Sequence, residues 1–289
     1  MIDFEKVRLA GINLDKIGSI VLIKATLINK APLRVGKSAG EFGDVDLPLE
    51  KLPDRTPYIP GSSLKGCLRS LAERISPRSC DIFSPLSECE VAALTLRKAL
   101  QSPNDLRRIL EELLRSRIER TKAEKAHELV SKLLDLASEG EEYASDVINE
   151  IVEEGLPCPV CRLFGNKELA SHVLVRDATP ISKPPVSYRT RVAIDRFRRA
   201  ARAQALFTYE FVPPGVEWNL DLKVYNVGLD GKNEASKLLL ALLKYLRKFG
   251  LEVGGMRSTG HGAMEVKTLQ ARIYRVQDFE VKEAGIHEF

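Results

Sequence analysis

Aliphatic and β-branched residues crowd residues 19–29, SIVLIKATLIN, and predict a strand. In GSSLKGCLRSLAERI the period changes. Leu64, Leu68, Leu71 and Ile75 recur at three- and four-residue spacing, which predicts a helix with a serine as its cap candidate. The intervening APLRVGKSAGEFGDVDLPLEKLPDRTPYIP is broken by glycine, proline and acidic residues and reads as a loop. From Cys89 to Glu154 the chain turns to Ala, Leu, Glu, Lys and Arg on amphipathic faces, so a block of three or four helices is expected there, one opening at Ser102 and Pro103.

After that block, HVLVRDATPI and DLKVYNV have strand character, as do the two ends of SYRTRVAIDRFRRAARAQALFTYEFV, whose polar middle makes a long β-hairpin the simplest shape. EASKLLLALLKYLRKF predicts a helix closed by Gly250, and AMEVKTLQARIYRV the last strands. With the helical block set aside, the order is strand, helix, strands, helix, strand. Two β-α-β halves of this kind point to an α+β fold, a ferredoxin-like sheet with helices on one face, the architecture of an RNA-recognition motif.

At 289 residues the chain can bury a sizeable core without staples. No apolar run approaches a bilayer span, and the start, MIDFEKVRLAGINLDK, lacks the layout of a signal peptide, so a soluble, cytoplasmic protein is expected. Five cysteines, an odd count, argue against a secreted disulfide framework and leave metal binding or buried thiols. The net charge of +4 decides little, whereas the placement of the charge decides more.

Lys183, Arg189, Arg191, Arg196, Arg198, Arg199 and Arg202 face a single acid, Asp195, with Tyr188 and Phe197 between them, a composition suited to phosphate contact and base stacking on single strands. VGGMRSTGHGAM, with glycines at 254, 255, 260 and 262, offers Arg257, Ser258, Thr259 and His261 to an anion, yet spacing alone does not separate a phosphate cradle from a tight turn. It lacks the GK[ST] of a P-loop and the helix that would follow. Cys158 and Cys161 in CPVC form half of a zinc site, with Cys80, Cys89, Cys67 or His172 available to complete it. Asp44 and Asp46 in GDVDLP are either turn formers or carboxylates for a divalent ion.

PYIPGSSLKGCLRSLAERI, CPVCRLFG followed by SHVLVRDA, TRVAIDRF with EFVPPGVEW, and GGMRSTGHGAMEV occur in an order that resembles the RAMP proteins of CRISPR systems, most of all the backbone subunits of type III effector complexes of the Csm and Cmr type. The resemblance covers most of the chain outside the helical block. It implies a RAMP core at residues 1–88 and 155–289, a hairpin thumb at about 184–210 and a helical insertion, or lid, at 89–154. It also implies copies that self-associate into a filament along CRISPR RNA, beside other effector subunits, and engage complementary target RNA. By motif, Ser62, Ser63 and Lys65, and the loop at Arg257, Ser258 and Thr259, become backbone contacts, while Arg189, Arg191, Arg196, Arg198 and Arg199 belong to the thumb. In members that cut, a loop aspartate acts with Mg or another divalent ion; its counterpart is Asp46, with Asp44 as second candidate, and the resemblance does not say whether this copy cuts. A structural Zn on Cys158 and Cys161, completed by Cys80 and Cys89, is implied as well. Two other functions compete: a stand-alone, metal-independent endoribonuclease processing CRISPR RNA through His261 or His172, and a zinc-stabilised adaptor without catalysis.

Overall fold

The computed structural model describes residues 17–36, 45–80, 86–115, 124–137, 143–195, 197–277 and 280–288. Asp44 and Arg196 lie outside the described residues, as does the side chain of Arg202.

Strand β1 (Ser19–Asn29) lies at the centre of a six-stranded sheet. It pairs antiparallel with β5 (Glu217–Tyr225) on one side and β7 (Ala263–Gln277) on the other. The order β2-β5-β1-β7-β6 is completed by two short edge strands, β2 (Val173–Val175) and β6 (Leu251–Glu252), while β8 (Glu280–Glu288) pairs with the far half of β7. The segment HVLVRDATPI therefore contributes only three residues of strand. Taken as β1, β2, β5 and β7, the central four strands have the order of two split β-α-β units, so the fold is α+β as expected.

Alternation on β1 buries Val21, Ile23, Ala25 and Leu27 on one face. That core also takes in α1 (Gly61–Ile75), through Leu64, Leu68 and Leu71, and α7 (Glu234–Phe249), through Leu239, Leu242 and Leu246. At the end of β1, Asn29 is fully buried, and its amide closes the corner: Oδ1 accepts from Val216 N at 3.0 Å and Trp218 Nε1 at 3.2 Å, while Nδ2 donates to the carbonyls of Ala31 and Pro213, each at 2.9 Å.

The serine expected to cap α1 does not do so. The helix starts after Pro60, and the carboxylate of Asp177 accepts from Gly61 N at 2.7 Å instead. Glycine is required there because a Cβ would stand 2.4 Å from the carbonyl oxygen of Val175.

Between α1 and β2 come α2 (Glu88–Gln101), α3 (Leu106–Leu113), α4 (Glu124–Leu136), α5 (Tyr143–Glu153) and the short α6 (Pro159–Phe164). A reciprocal capping box of Ser87 with Glu90 begins α2. Ser102 and Pro103 open a single 3₁₀ turn ahead of α3. Strands β3 (Ser187–Asp195) and β4 (Ala200–Phe211) make a separate two-stranded hairpin, with Arg198 and Arg199 exposed at its tip. Among the described residues, no helix is long and apolar enough to cross a membrane.

Candidate nucleic-acid interface and metal centre

One side of α1, the loop after β1 and the glycine-rich loop after β6 enclose a cleft of about 450 Å³. Ser63, Gly66, Cys67 and Ser70 come from α1, Arg34 and Gly36 from the first loop, and Gly254, Gly255 and Arg257 from the second. The two loops are tied together by Gly255 N donating to Arg34 O at 2.9 Å and Gly262 N donating to Pro32 O at 2.9 Å. Gly254 has φ +82°, and a Cβ on it would stand 2.2 Å from the carbonyl oxygen of Arg34, so both its conformation and its neighbour demand glycine. The Nε of Arg34 is buried without an acceptor, and burial pushes its guanidinium down from the ordinary value. A cleft lined by Arg34, Arg257 and serine hydroxyls is suited to an anion.

The glycine-rich loop also grips the hairpin. Arg257–Thr259 form a 3₁₀ turn, and Arg191 Nη1 donates to Thr259 Oγ1 at 3.1 Å. Beneath it His261 is 2% exposed, with Nδ1 3.3 Å from the Thr259 carbonyl and Nε2 3.1 Å from the Tyr209 hydroxyl. A carbonyl only accepts, so Nδ1 carries the proton and Nε2 accepts from Tyr209. Burial, and behind it Arg191, Arg189 and Arg34, pushes His261 below the usual histidine range, against the opposing bond to Thr259. Both nitrogens of this neutral imidazole are occupied. His172, equally buried, has Nδ1 2.8 Å from the Tyr225 carbonyl.

On this face of the hairpin Phe207, Tyr209 and Phe211 form a ladder with centroids 6.3 and 6.0 Å apart. Arg191 lies over Tyr209 at 5.3 Å and Arg189 over Phe211 at 5.2 Å.

Asp46 sits at the root of the same hairpin. Its carboxylate is exposed, and Oδ2 accepts from Thr208 N at 2.7 Å. Leu47 bridges to β4 in parallel register, and the buried Glu210 fixes the following residues: its carboxylate accepts from Leu49 N at 2.9 Å and from Lys51 Nζ at 2.7 Å.

The four cysteines named for zinc meet. Cys80 follows α1, Cys89 stands in the first turn of α2, Cys158 caps α6 and Cys161 lies within it; their Sγ atoms all lie within 4.8 Å of one another. A tetrahedral ion with metal–sulfur bonds of about 2.3 Å needs sulfurs about 3.8 Å apart, and the cluster, with Cys80 and Cys161 at 3.3 Å, contracts around that value. Hydrogen bonds from the thiols of Cys161, Cys80 and Cys89 push Cys158 far below the ordinary thiol range, while the same bonds push Cys89 and Cys161 up. Cys158 N also donates to Cys89 Sγ at 3.2 Å. The site can hold a metal ion, and its all-sulfur donor set is compatible with structural zinc. Cys67 stands apart in the cleft, its thiol pushed up by burial.

The expected RNA contacts thus divide. Ser63 and Arg257 share the cleft, Thr259 joins it to the hairpin, and Ser62 and Ser258 are exposed nearby in sequence. Lys65 does not line the cleft; it lies half-buried beside Arg69, and burial followed by that charge pushes its ammonium down. Arg34, the aromatic ladder and the Glu210 strap were not singled out from sequence. The alternating F-T-Y-E-F of β4 carried the only signal for the last two.

Comparison with known proteins completes the description. The model of the RAMP superfamily matches residues 26–265. A search of the curated proteins found no match.

Proposed function

Because the chain belongs to the RAMP superfamily, which ties it to CRISPR-related RNA binding, we propose that it is a backbone subunit of a type III effector complex, its copies stacked along CRISPR RNA beside other effector subunits. The single observation that carries this reading is the cleft: Arg34 and Arg257 line it together with glycine backbone and the hydroxyls of Ser63 and Ser70. These groups read phosphate and not base, as a subunit serving any guide requires. Arg191, bonded to the glycine-rich loop through Thr259, joins the cleft to the other hairpin arginines, Arg189, Arg198 and Arg199. Zinc held by Cys80, Cys89, Cys158 and Cys161 would tie the segment after α1 to α2 and α6. The helices between residues 89 and 154 form an insertion on the core.

Target cleavage rests on Asp46. Oδ2 is occupied by Thr208 N, and the other oxygen, which has no hydrogen bond among the described residues, would bind a divalent ion or draw a proton from an attacking 2′-hydroxyl. In-line attack on the adjacent phosphate would leave a cyclic phosphate, and positioning would supply most of the rate. The processing reading is weaker because His261 and His172 are each 2% exposed.

A salt titration of single-stranded RNA binding tests the proposal. Each lost phosphate contact reduces the slope of log affinity against log salt by about 0.7, so Arg34→Ala and Arg257→Ala should each weaken binding and flatten the slope by roughly that amount. Slopes equal to wild type would remove the cleft from the interface. In the assembled complex, Asp46→Ala should abolish cutting of complementary RNA with guide binding intact, and retained cutting would refute its role.

A further inference from the structure

The cleft and the cysteine cluster lie on two sides of one helix. Ser63, Gly66, Cys67 and Ser70 of α1 line the cleft, whereas Arg69 turns to the other flank. There three acceptors hold its guanidinium. Nε donates to Glu73 Oε1 at 3.0 Å, one turn along the same helix. Nη1 donates to the carbonyl of Gly165 at 2.8 Å, and Gly165 closes α6 by donating to Cys161 O at 2.9 Å. Nη2 lies 3.9 Å from Cys161 Sγ. One side chain therefore grips both the end of the cysteine-bearing helix and one of its sulfurs.

Charge gives this grip a dependence on the cluster. A divalent ion on four thiolates leaves two negative charges, and Arg69 is placed beside one of those sulfurs. A second guanidinium, Arg162, is fixed on the same turn by donating to Pro157 O at 2.7 Å. A hydrogen bond from Arg69 to a thiolate is charge-assisted, and one to a thiol is not. The hold on α1 would thus be firmer with a metal ion on the four sulfurs than without one.

We propose that Arg69 is a positioning residue that ties α1, and with it the opposite face lining the cleft, to the cysteine cluster, so that single-stranded RNA affinity depends on the cluster being intact. The proposal rests on the reading of the cleft as an RNA site. It makes the cluster part of the binding apparatus and not only a staple for folding.

The test uses the full-length protein loaded with zinc, and a fluorescent oligouridylate as probe. Arg69→Lys keeps the charge but cannot reach three acceptors, and should weaken binding roughly tenfold, the size of a coupling between neighbouring groups. Stripping zinc from the wild type with a chelator should cost a similar factor, while stripping Arg69→Lys should add little, since the link is already cut. Wild-type affinity in the variant, or two losses that simply multiply, would overturn the proposal.

A second readout needs no RNA. With four thiols held in the cluster, Cys67 is the remaining cysteine. Its alkylation rate, followed by intact mass, reports the cleft directly. Arg69→Lys should change that rate by roughly threefold or more while the four ligands stay protected, and an unchanged rate would sink the link. Arg74→Lys, on the exposed side of the same helix, should leave both readouts at wild type. If Arg69→Lys fails to fold, Glu73→Gln removes the carboxylate that orients Nε and should act in the same direction. A wild-type protein that binds no oligouridylate refutes the RNA reading, and the Cys67 rate still decides the role of Arg69.

Discussion

Tyr209→Phe removes a single hydroxyl from the root of the β3–β4 hairpin and probes the joint between that hairpin and the glycine-rich loop. Tyr209 is fully buried, and its hydroxyl donates to His261 Nε2 at 3.1 Å. Phenylalanine preserves the ring ladder and the stacking of Arg191, so packing changes little. What changes is that Nε2 of a buried imidazole loses its partner. An orphaned buried acceptor costs about 1–3 kcal/mol; taking about 2 kcal/mol, and 2–4 °C per kcal/mol for a chain somewhat shorter than this one, the melting temperature should fall by roughly 4–8 °C. Calorimetry of the wild type, Tyr209→Phe, His261→Phe and the double variant would measure it. Residues in direct contact should show a coupling of at least about 0.5 kcal/mol. A fall of less than about 1 °C, or a double variant whose losses simply add, would refute the assignment of the bond as a stabilising link.

Two further outcomes follow from the same loop. His261 has a folded pKa below its unfolded value, which is about 6.5. Its contribution to stability is complete above about 6.5 and is lost as pH falls from there toward the folded value, because the unfolded chain binds the proton first. Melting temperatures between about pH 8 and 5 should fall in the wild type and fall less in His261→Gln; equal slopes would exclude His261 as the source. Gly254→Ala should destabilise by more than about 2 kcal/mol, since left-handed strain of about 1–2 kcal/mol is joined by a clash with the Arg34 carbonyl. Gly260→Ala, at φ +81° in open space, should show the strain alone, and denaturant melts giving the two the same loss would refute the close approach.

Periodicity made the sheet and its two flanking helices legible, because β1, α1 and α7 bury one continuous face each and their sequences record it. The cap of α1 was not legible. Its acceptor, Asp177, stands more than a hundred residues away in the chain, and no local pattern announces it. The start of α2 was legible: the change of composition at Cys89 falls one residue inside the helix, and Ser87 and Glu90 have capping-box spacing. At the site, CPVC announced itself by spacing, whereas the choice of Cys80 and Cys89 over Cys67 and His172 depends on how α1, α2 and α6 converge. Arg34 carried no signal of its own. It matters because the fold buries its Nε without an acceptor, a property of surroundings and not of sequence.

Strand β4 explains why these separate features act on one another. Thr208 N holds Asp46, the Tyr209 hydroxyl holds His261, and the Glu210 carboxylate holds Leu49 and Lys51, so three successive residues of one strand bind two loops. Alternation sends the Tyr209 side chain to one face and that of Glu210 to the other, which is why the two loops are gripped from opposite sides. The hairpin cannot tilt without drawing on both. Asp46 therefore stands in a fixed relation to the hairpin, and on the proposed reading an RNA strand held there would meet it in the same way whatever the guide. On that proposal, the relation is what a cleavage reaction relying on alignment of the 2′-hydroxyl would require, with Asp46 Oδ2 held by Thr208 N and with His261 and His172 both buried.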